Sequence, residues 1–331
     1  MIKMLFCWLI SAMTTVCVFA VPVPDGGAAE SSFPAWKQEF RREARAAGIT
    51  EKTLDRALGG LEKPLPRVIA LDRRQPELVQ TMKEYVETRV SRERIAGGRQ
   101  MMDRYPTWLG RVERAYGVQR RFIVALWGME TNYGRLTGGF PVIHSLATLA
   151  YEGRRSTYFR KELLNALRIL QAGHVSLKHM DGSWAGAMGQ CQFMPSSFLR
   201  AAVDFDKDGR TDIWNSVPDV LASTANYLAQ SGWRNDLTWG RPVQLPKKFD
   251  LKHVGLKIRW PLARWQALGV RRMDGGALPR RNVKASLIAP AGAAGPAYLV
   301  YDNFRVLLSW NRSTSFAVAV GLLSDRIAAP R

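Results

Sequence analysis

Cysteine and histidine are both scarce in this chain. Three cysteines occur in 331 residues, Cys7, Cys17 and Cys191, beside only four histidines. Two of the cysteines lie in the first twenty residues. Once that stretch is removed one thiol remains, and no intramolecular disulfide can form. Cys191 sits in Gly189-Gln-Cys-Gln-Phe-Met with no histidine at a recognisable spacing, so a small buried structural thiol is preferred over a nucleophile. His174 and His179 are five residues apart and lack a partnering Glu motif, which argues against zinc. No Ser-His-Asp or Gly-x-Ser-x-Gly pattern appears, which argues against serine hydrolases. Acidic residues are also in deficit, 28 against 48 Lys and Arg, for a formal charge of +20. Such an excess implies anionic partners. The basic residues are spread along the chain and form no arm or tail, which speaks against a dedicated nucleic-acid element. Internal repeats and low-complexity tracts are absent.

What is present begins with an export signal. Lys3 precedes an apolar run from Met4 to Ala20, followed by Val-Pro-Val-Pro-Asp-Gly-Gly. A short positive n-region, an h-region and a Pro/Gly-rich start read as a signal peptide over 1–20. The run is at the short end for a membrane span. Thr15 and Val16 before Cys17 make a poor lipobox, so lipid anchoring is not expected. An exported, periplasmic protein follows, with 21–32 as a disordered mature start. In that compartment anionic wall polymer or membrane surface fits the charge better than nucleic acid does.

The remaining periodicity is mostly helical. Trp36, Phe40, Ala44 and Ala47 predict a helix from Phe33, and Thr50 caps a second. Gln75 to Ile95 reads as one long helix ended by Gly97-Gly98. Residues 99–116, 118–133 and 158–172 read as three more. Between 241 and 300, Pro, Gly and Lys/Arg punctuate short apolar runs at 242–245, 255–260, 283–289 and 297–301, which predict a small β module. Helix returns from Asn303 to Ile327. The fold class is mostly α (α+β). The expected organisation is an N-terminal helical domain at 33–100, a core at 101–240, the β module at 241–300 and closing helices at 301–328.

Three segments carry chemistry. The first is Phe122-Ile-Val-Ala-Leu-Trp-Gly-Met-Glu130-Thr-Asn-Tyr-Gly134, an apolar helix with one carboxylate. Burial there raises the pKa of Glu130, and a carboxyl held neutral near pH 7 suits a glycosidase general acid. The helix alone leaves a structural Glu, paired with a buried Arg or capping a neighbour, equally open. The second is Ser183-Trp-Ala-Gly-Ala-Met-Gly-Gln-Cys-Gln-Phe-Met-Pro195. Its small residues permit close backbone approach, and Gln190 and Gln192 supply amides. A sugar-binding wall and a tight helix crossing both fit it. The third is Asp204-Phe-Asp206-Lys-Asp208-Gly209, whose spacing matches calcium-loop positions one, three, five and six. Position twelve is Asn215, not Glu, and Asp219 is the residue that closes a longer loop. An Asp-rich turn without metal is the alternative.

These segments, with Leu71-Asp-Arg-Arg-Gln-Pro-Glu77, Ala225-Asn-Tyr-Leu228, Asn303-Phe304 and Trp310-Asn-Arg-Ser313, occur in an order that resembles the membrane-bound lytic transglycosylase B family. The likeness covers roughly residues 33–328. It implies a lysozyme-like helical core and non-hydrolytic cleavage of the β-1,4 bond between N-acetylmuramic acid and N-acetylglucosamine. The resemblance makes Glu130 the single catalytic acid and base. It places Ser183, Gln192, Tyr227, Asn311 and Tyr85 in the substrate cleft, and Asp204, Asp206, Asp208 and Asp219 on a structural calcium ion. No cofactor is implied for catalysis. The implied partners are glycan strands and other cell-wall enzymes, and the chain is expected to be a monomer. One departure stands out: Trp310 occupies a slot where some relatives carry Tyr, so the interaction a hydroxyl would make there is expected to be missing.

Overall fold

The computed structural model describes residues 32–73, 80–152, 155–290, 292 and 295–330. The expected signal peptide and nearly all of the expected disordered start lie outside these residues. Ser32 is already part of the fold, as the cap of the first helix.

The helices open with α1 (Phe33–Ala46), α2 (Glu51–Leu58), α3 (Pro66–Arg73), α4 (Met82–Arg89), α5 (Arg92–Arg104), α6 (Pro106–Tyr116) and α7 (Arg120–Thr131). A short strand β1 (Phe140–Pro141) leads into α8 (Val142–Tyr151) and α9 (Ser156–Gln171). Then come β2 (Asp181–Gly182), α10 (Pro195–Ala201) and α11 (Val217–Gln230). The last third holds β3 (Gly240–Gln244), β4 (Trp260–Pro261), α12 (Leu262–Ala267), β5 (Arg271–Arg272), β6 (Lys284–Ile288) and β7 (Ala297–Val300). It closes with α13 (Asp302–Trp310) and α14 (Thr314–Ala328). Among the described residues no single helix is long and apolar enough to cross a membrane.

The chain divides into two compact units. Among the described residues, the first comprises 32–73, with the described part of 138–188 and 193–199; the second comprises 80–137, 189–192 and the described part of 200–330. In the first unit, Phe33, Trp36 and Phe40 recur at helical spacing on the buried face of α1. Their rings stack in sequence, and Tyr151 at the end of α8 meets two of them edge-on. Helices α8 and α9 pack together beside them, and the strand pair β1–β2 is antiparallel.

In the second unit α7 is enclosed by α5, α6, α11 and α14. Every residue from Phe122 to Thr131 is buried, so the helix is apolar on all sides, as an interior helix must be. The β module is an antiparallel sheet ordered β4-β6-β7-β3-β5. Its core gathers Trp265, Val270, Leu287 and Leu299, all with no exposed surface.

Several expected boundaries move. The helix expected over 75–95 is not continuous within its described part. Val90 leaves helical geometry, and Ser91 caps a new helix by accepting from the Arg94 amide at 3.2 Å. That helix, α5, runs through Gly97 and Gly98 instead of stopping there. The helix expected over 99–116 is cut at Tyr105, because Pro106 cannot continue it. Within 255–260 only Trp260 joins the sheet. Gly255 has a φ of +137°, incompatible with a running strand.

Candidate active site

Glu130 lies in the last turn of α7 with 5% of its surface exposed. Its Oε1 accepts a hydrogen bond from the indole Nε1 of Trp310 at 2.7 Å. Trp310 is the last residue of α13, so one donor reaches the carboxyl from a helix distant in sequence. Burial pushes the carboxyl up to about 7. The Trp310 N–H and the positive charge of Arg89 oppose that rise, but less strongly. Among the described residues no cation lies within ion-pair distance of Glu130, and no second carboxylate shapes its titration. The structural ion pair left open by the sequence is therefore not what this carboxyl makes. At position 310 an indole donor bonds the carboxyl of the catalytic candidate itself.

A stacked wall supports Trp310. Tyr227 of α11 meets it edge-on, with ring centroids 4.8 Å apart, and donates its hydroxyl to the Ser309 carbonyl at 2.8 Å. The Arg200 guanidinium covers the Tyr227 ring at 4.5 Å. Asn311 is the C-cap of α13 and accepts from the Ser313 amide at 2.9 Å, within the break where α13 and α14 turn by 117°. Burial raises the Tyr85 phenol of α4, and the nearby Glu130 charge adds to the rise while Arg89 opposes it. Arg89, one turn further along α4, stands 5.5 Å from the Tyr85 ring centre. Glu130, Tyr227, Asn311, Tyr85 and Gln192 all belong to the second unit. Ser183 belongs to the first, where its hydroxyl accepts from the Ala187 amide at 3.0 Å and shapes a tight turn.

The end of α7 is held by residues whose role the sequence does not disclose. Asn132 and Tyr133 both have positive φ and reverse the chain. This returns Tyr133 onto the helix, with its hydroxyl donating to the Arg94 carbonyl at 2.6 Å. A Cβ on Gly128 would sit 2.6 Å from that ring, and one on Gly97 2.7 Å. Of the glycine pair read as a helix stop, Gly97 thus seats the Tyr133 ring, while Gly98 admits Ile327 and the Tyr133 hydroxyl. Gln190 is the second holder. Its Oε1 accepts from Trp127 Nε1 and its Nε2 donates to the Trp214 carbonyl, each at 2.8 Å. Its own carbonyl accepts from Thr131 Oγ1 at 3.0 Å. Gln192, at a strained φ of +51°, donates to the carbonyls of Thr137 and Gly189. Cys191 is buried against Val220 and Thr224 of α11, and burial pushes its thiol up to about 12. It is no nucleophile near neutral pH.

The acidic loop gathers carboxylates that could hold a cation. Oxygens of Asp204, Asp206 and Asp219 lie within 4.8 Å of one another. Asp204 accepts from the amides of Asp208 and Gly209, and Asp219 from those of Phe205 and Asp212. Asp206 Oδ2 accepts from Ser216, whereas Oδ1 is buried without a hydrogen-bond partner. A buried carboxylate oxygen left unmatched is costly, and a hard cation satisfies it. Burial, and the neighbouring charges of Asp206 and Asp204, raise the Asp219 carboxyl, against the amide bonds that lower it. Asp208 is not one of the three clustered carboxylates; its Oδ1 accepts from the Arg210 amide. Asn215, at the twelfth position, donates to Asp212. Asp219 comes instead from the first turn of α11.

A mostly helical scaffold with a minor sheet places the chain in the lysozyme-like class of folds, and solved structures of that class superimpose on it. The transglycosylase SLT domain family matches residues 32–325, and the chain belongs to that family. It is 48% identical to SltB3 of Pseudomonas aeruginosa, solved with NAG-anhNAM-pentapeptide. That match has a TM-score of 0.86 and covers 89% of this chain and 79% of that one. Slt35 of Escherichia coli, a lytic transglycosylase solved with calcium, is 26% identical, with a TM-score of 0.77 over 93% of this chain and 98% of that one. Membrane-bound lytic murein transglycosylase B of Escherichia coli K12 is 31% identical over 255 residues. That alignment covers 73% of this chain and 66% of the relative, just under two thirds of its length.

Proposed function

We propose that the protein cleaves the β-1,4 bond between N-acetylmuramic acid and N-acetylglucosamine in peptidoglycan without net hydrolysis, leaving 1,6-anhydromuramoyl ends. The observation that carries this is Glu130, buried and raised to about 7 with no second carboxylate shaping its titration among the described residues. Hydrolytic glycosidases generally pair two carboxylates, one as acid and one as base or nucleophile. Here an internal nucleophile, the muramoyl 6-hydroxyl, replaces the second. Neutral Glu130 gives its proton to the glycosidic oxygen as the C1–O4 bond breaks. The carboxylate then takes the 6-hydroxyl proton as O6 bonds to C1, which returns Glu130 to its starting state. No water is consumed.

Tyr85, Gln192, Tyr227, Asn311 and Ser183 are the proposed glycan contacts. The net positive charge favours an anionic wall polymer over a neutral one. Calcium, held by Asp204, Asp206 and Asp219, is proposed as a structural ion that supplies no chemistry to the reaction. Residues 1–20 are proposed as the export leader that delivers a monomeric enzyme to the periplasm.

Digestion of purified sacculi followed by mass spectrometry tests the reading. Each new muramoyl end should lack one water relative to a reducing end. Reducing ends would make the enzyme a muramidase. Release of no soluble muropeptide would make it a binding protein. Glu130→Gln should fold normally and release nothing; a lytic Glu130→Gln would sink the assignment.

A further inference from the structure

The hydrogen bond between Trp310 and Glu130 does more than orient a side chain. An indole N–H donates and cannot accept. Of the two oxygens of a carboxylic acid, the carbonyl oxygen is the better acceptor. A donor-only partner 2.7 Å from Oε1 therefore makes Oε1 the carbonyl oxygen of the neutral acid. The O–H is left on Oε2. A tyrosine hydroxyl in that slot both donates and accepts, and would leave either oxygen free to carry the proton.

We infer that Trp310 is the positioning residue of this acid, confining the mobile proton of Glu130 to Oε2 and holding the carboxyl in one orientation through the catalytic cycle. The inference rests on Glu130 being the proton donor proposed above. The geometry suits the role, because Trp310 is itself fixed. Tyr227 abuts its ring, Arg200 covers the Tyr227 ring, and the Tyr227 hydroxyl ties α11 to the Ser309 carbonyl one residue before Trp310. The indole thus reaches Glu130 from a braced helix end and not from a mobile loop.

The other charged and titratable groups around the carboxyl are few. Helix α4 presents Arg89 and Tyr85, and α5 presents Arg94, whose guanidinium donates to the Gly128 carbonyl and lies near the Tyr133 hydroxyl. The 189–192 segment presents Cys191, which feels the Glu130 charge but remains a thiol. Asp325 of α14 and Glu113 of α6 pair with Arg121 and Arg120, far up α7. Among the described residues, Trp310 is the one neutral donor bonded to the carboxyl.

The test is Trp310→Phe, which keeps an aromatic ring against Tyr227 and removes the N–H, with Trp310→Tyr as the conservative variant. The Glu130 carboxyl is followed by 13C NMR, its resonance identified by its absence in Glu130→Gln. The N–H stabilises the anion, so Trp310→Phe should move the titration midpoint, and the alkaline limb of the pH–rate profile, to higher pH. At the optimum kcat should fall by on the order of tenfold or more, as expected for a displaced reacting group, with KM within about twofold. Trp310→Tyr should recover part of kcat. If Trp310→Phe does not fold, Tyr227→Phe, which loosens the brace, should move the same midpoint the same way by less. An unmoved midpoint with unchanged kcat, or a loss confined to KM, overturns the inference. Glu130→Gln separates the two claims. If it is inert while Trp310→Phe is unaltered, only the role of Trp310 fails; if it is active, the acid assignment itself fails.

Discussion

Glu130→Gln should stabilise the protein at alkaline pH while abolishing its activity. Burial moves the Glu130 carboxyl from 4.5 to about 7 in the folded state. A tenfold change in proton affinity is worth about 1.4 kcal/mol, so the ionised form costs the fold about 3 kcal/mol relative to the unfolded chain. The sign is that of a raised group. Below about pH 4.5 the carboxyl is neutral in both states and the penalty is absent. It grows as pH rises through the interval between the two values and is complete above about 7. Glutamine is neutral throughout and keeps an oxygen to accept the Trp310 N–H. Urea denaturation of wild type and Glu130→Gln at pH 4, 6 and 8 measures the difference. The variant should match wild type at pH 4 and exceed it by up to about 3 kcal/mol at pH 8. A gap that is flat with pH, or that closes on the alkaline side, would refute the claim that desolvation governs this carboxyl. Glu130 would then carry no stability penalty for its function.

Other outcomes follow from named contacts. Activity should decline above about pH 7, as Glu130 loses the proton it must donate; a pH–rate profile flat to pH 9 would contradict this. Gly128→Ala would place a Cβ 2.6 Å from the bonded Tyr133 ring. It should destabilise by about 1–3 kcal/mol and lower kcat, read by denaturation and wall-lysis assays. Calcium should raise the melting temperature. The gain is worth about 2.7 kcal/mol at a hundredfold excess over Kd, and Asp206→Ala should remove it. Equal melting curves with calcium and with chelator would argue against an ion at the Asp204, Asp206 and Asp219 cluster.

The helical class and the glutamate were legible because both are local signals. Apolar residues at helical spacing predict α1, and Thr50 was readable as the cap of α2 from the residues around it. The helix breaks at Val90 and Tyr105 were not, since the first depends on a single serine cap and the second on weighing one proline against a long periodic stretch. Gly97-Gly98 shows the limit most clearly. A glycine that ends a helix and a glycine that admits an aromatic ring look alike in sequence; only the return of Tyr133 tells them apart.

The acidic loop divides in the same way. The Asp-x-Asp-x-Asp-Gly spacing predicts a tight acidic turn, because residues close in sequence obey a fixed turn geometry. Which carboxylates converge was settled by packing: Asp219 enters from the first turn of α11, while Asp208 turns to cap its own loop. For Glu130, the sequence determined that one carboxyl would be carried by an apolar helix, and so that its proton affinity would rise. It left open whether an arginine would neutralise it. Only the tertiary structure decided that its partner is the indole of Trp310, 180 positions away on another helix. A partner of that kind has no local signature, because its position depends on how α7, α11 and α13 pack together.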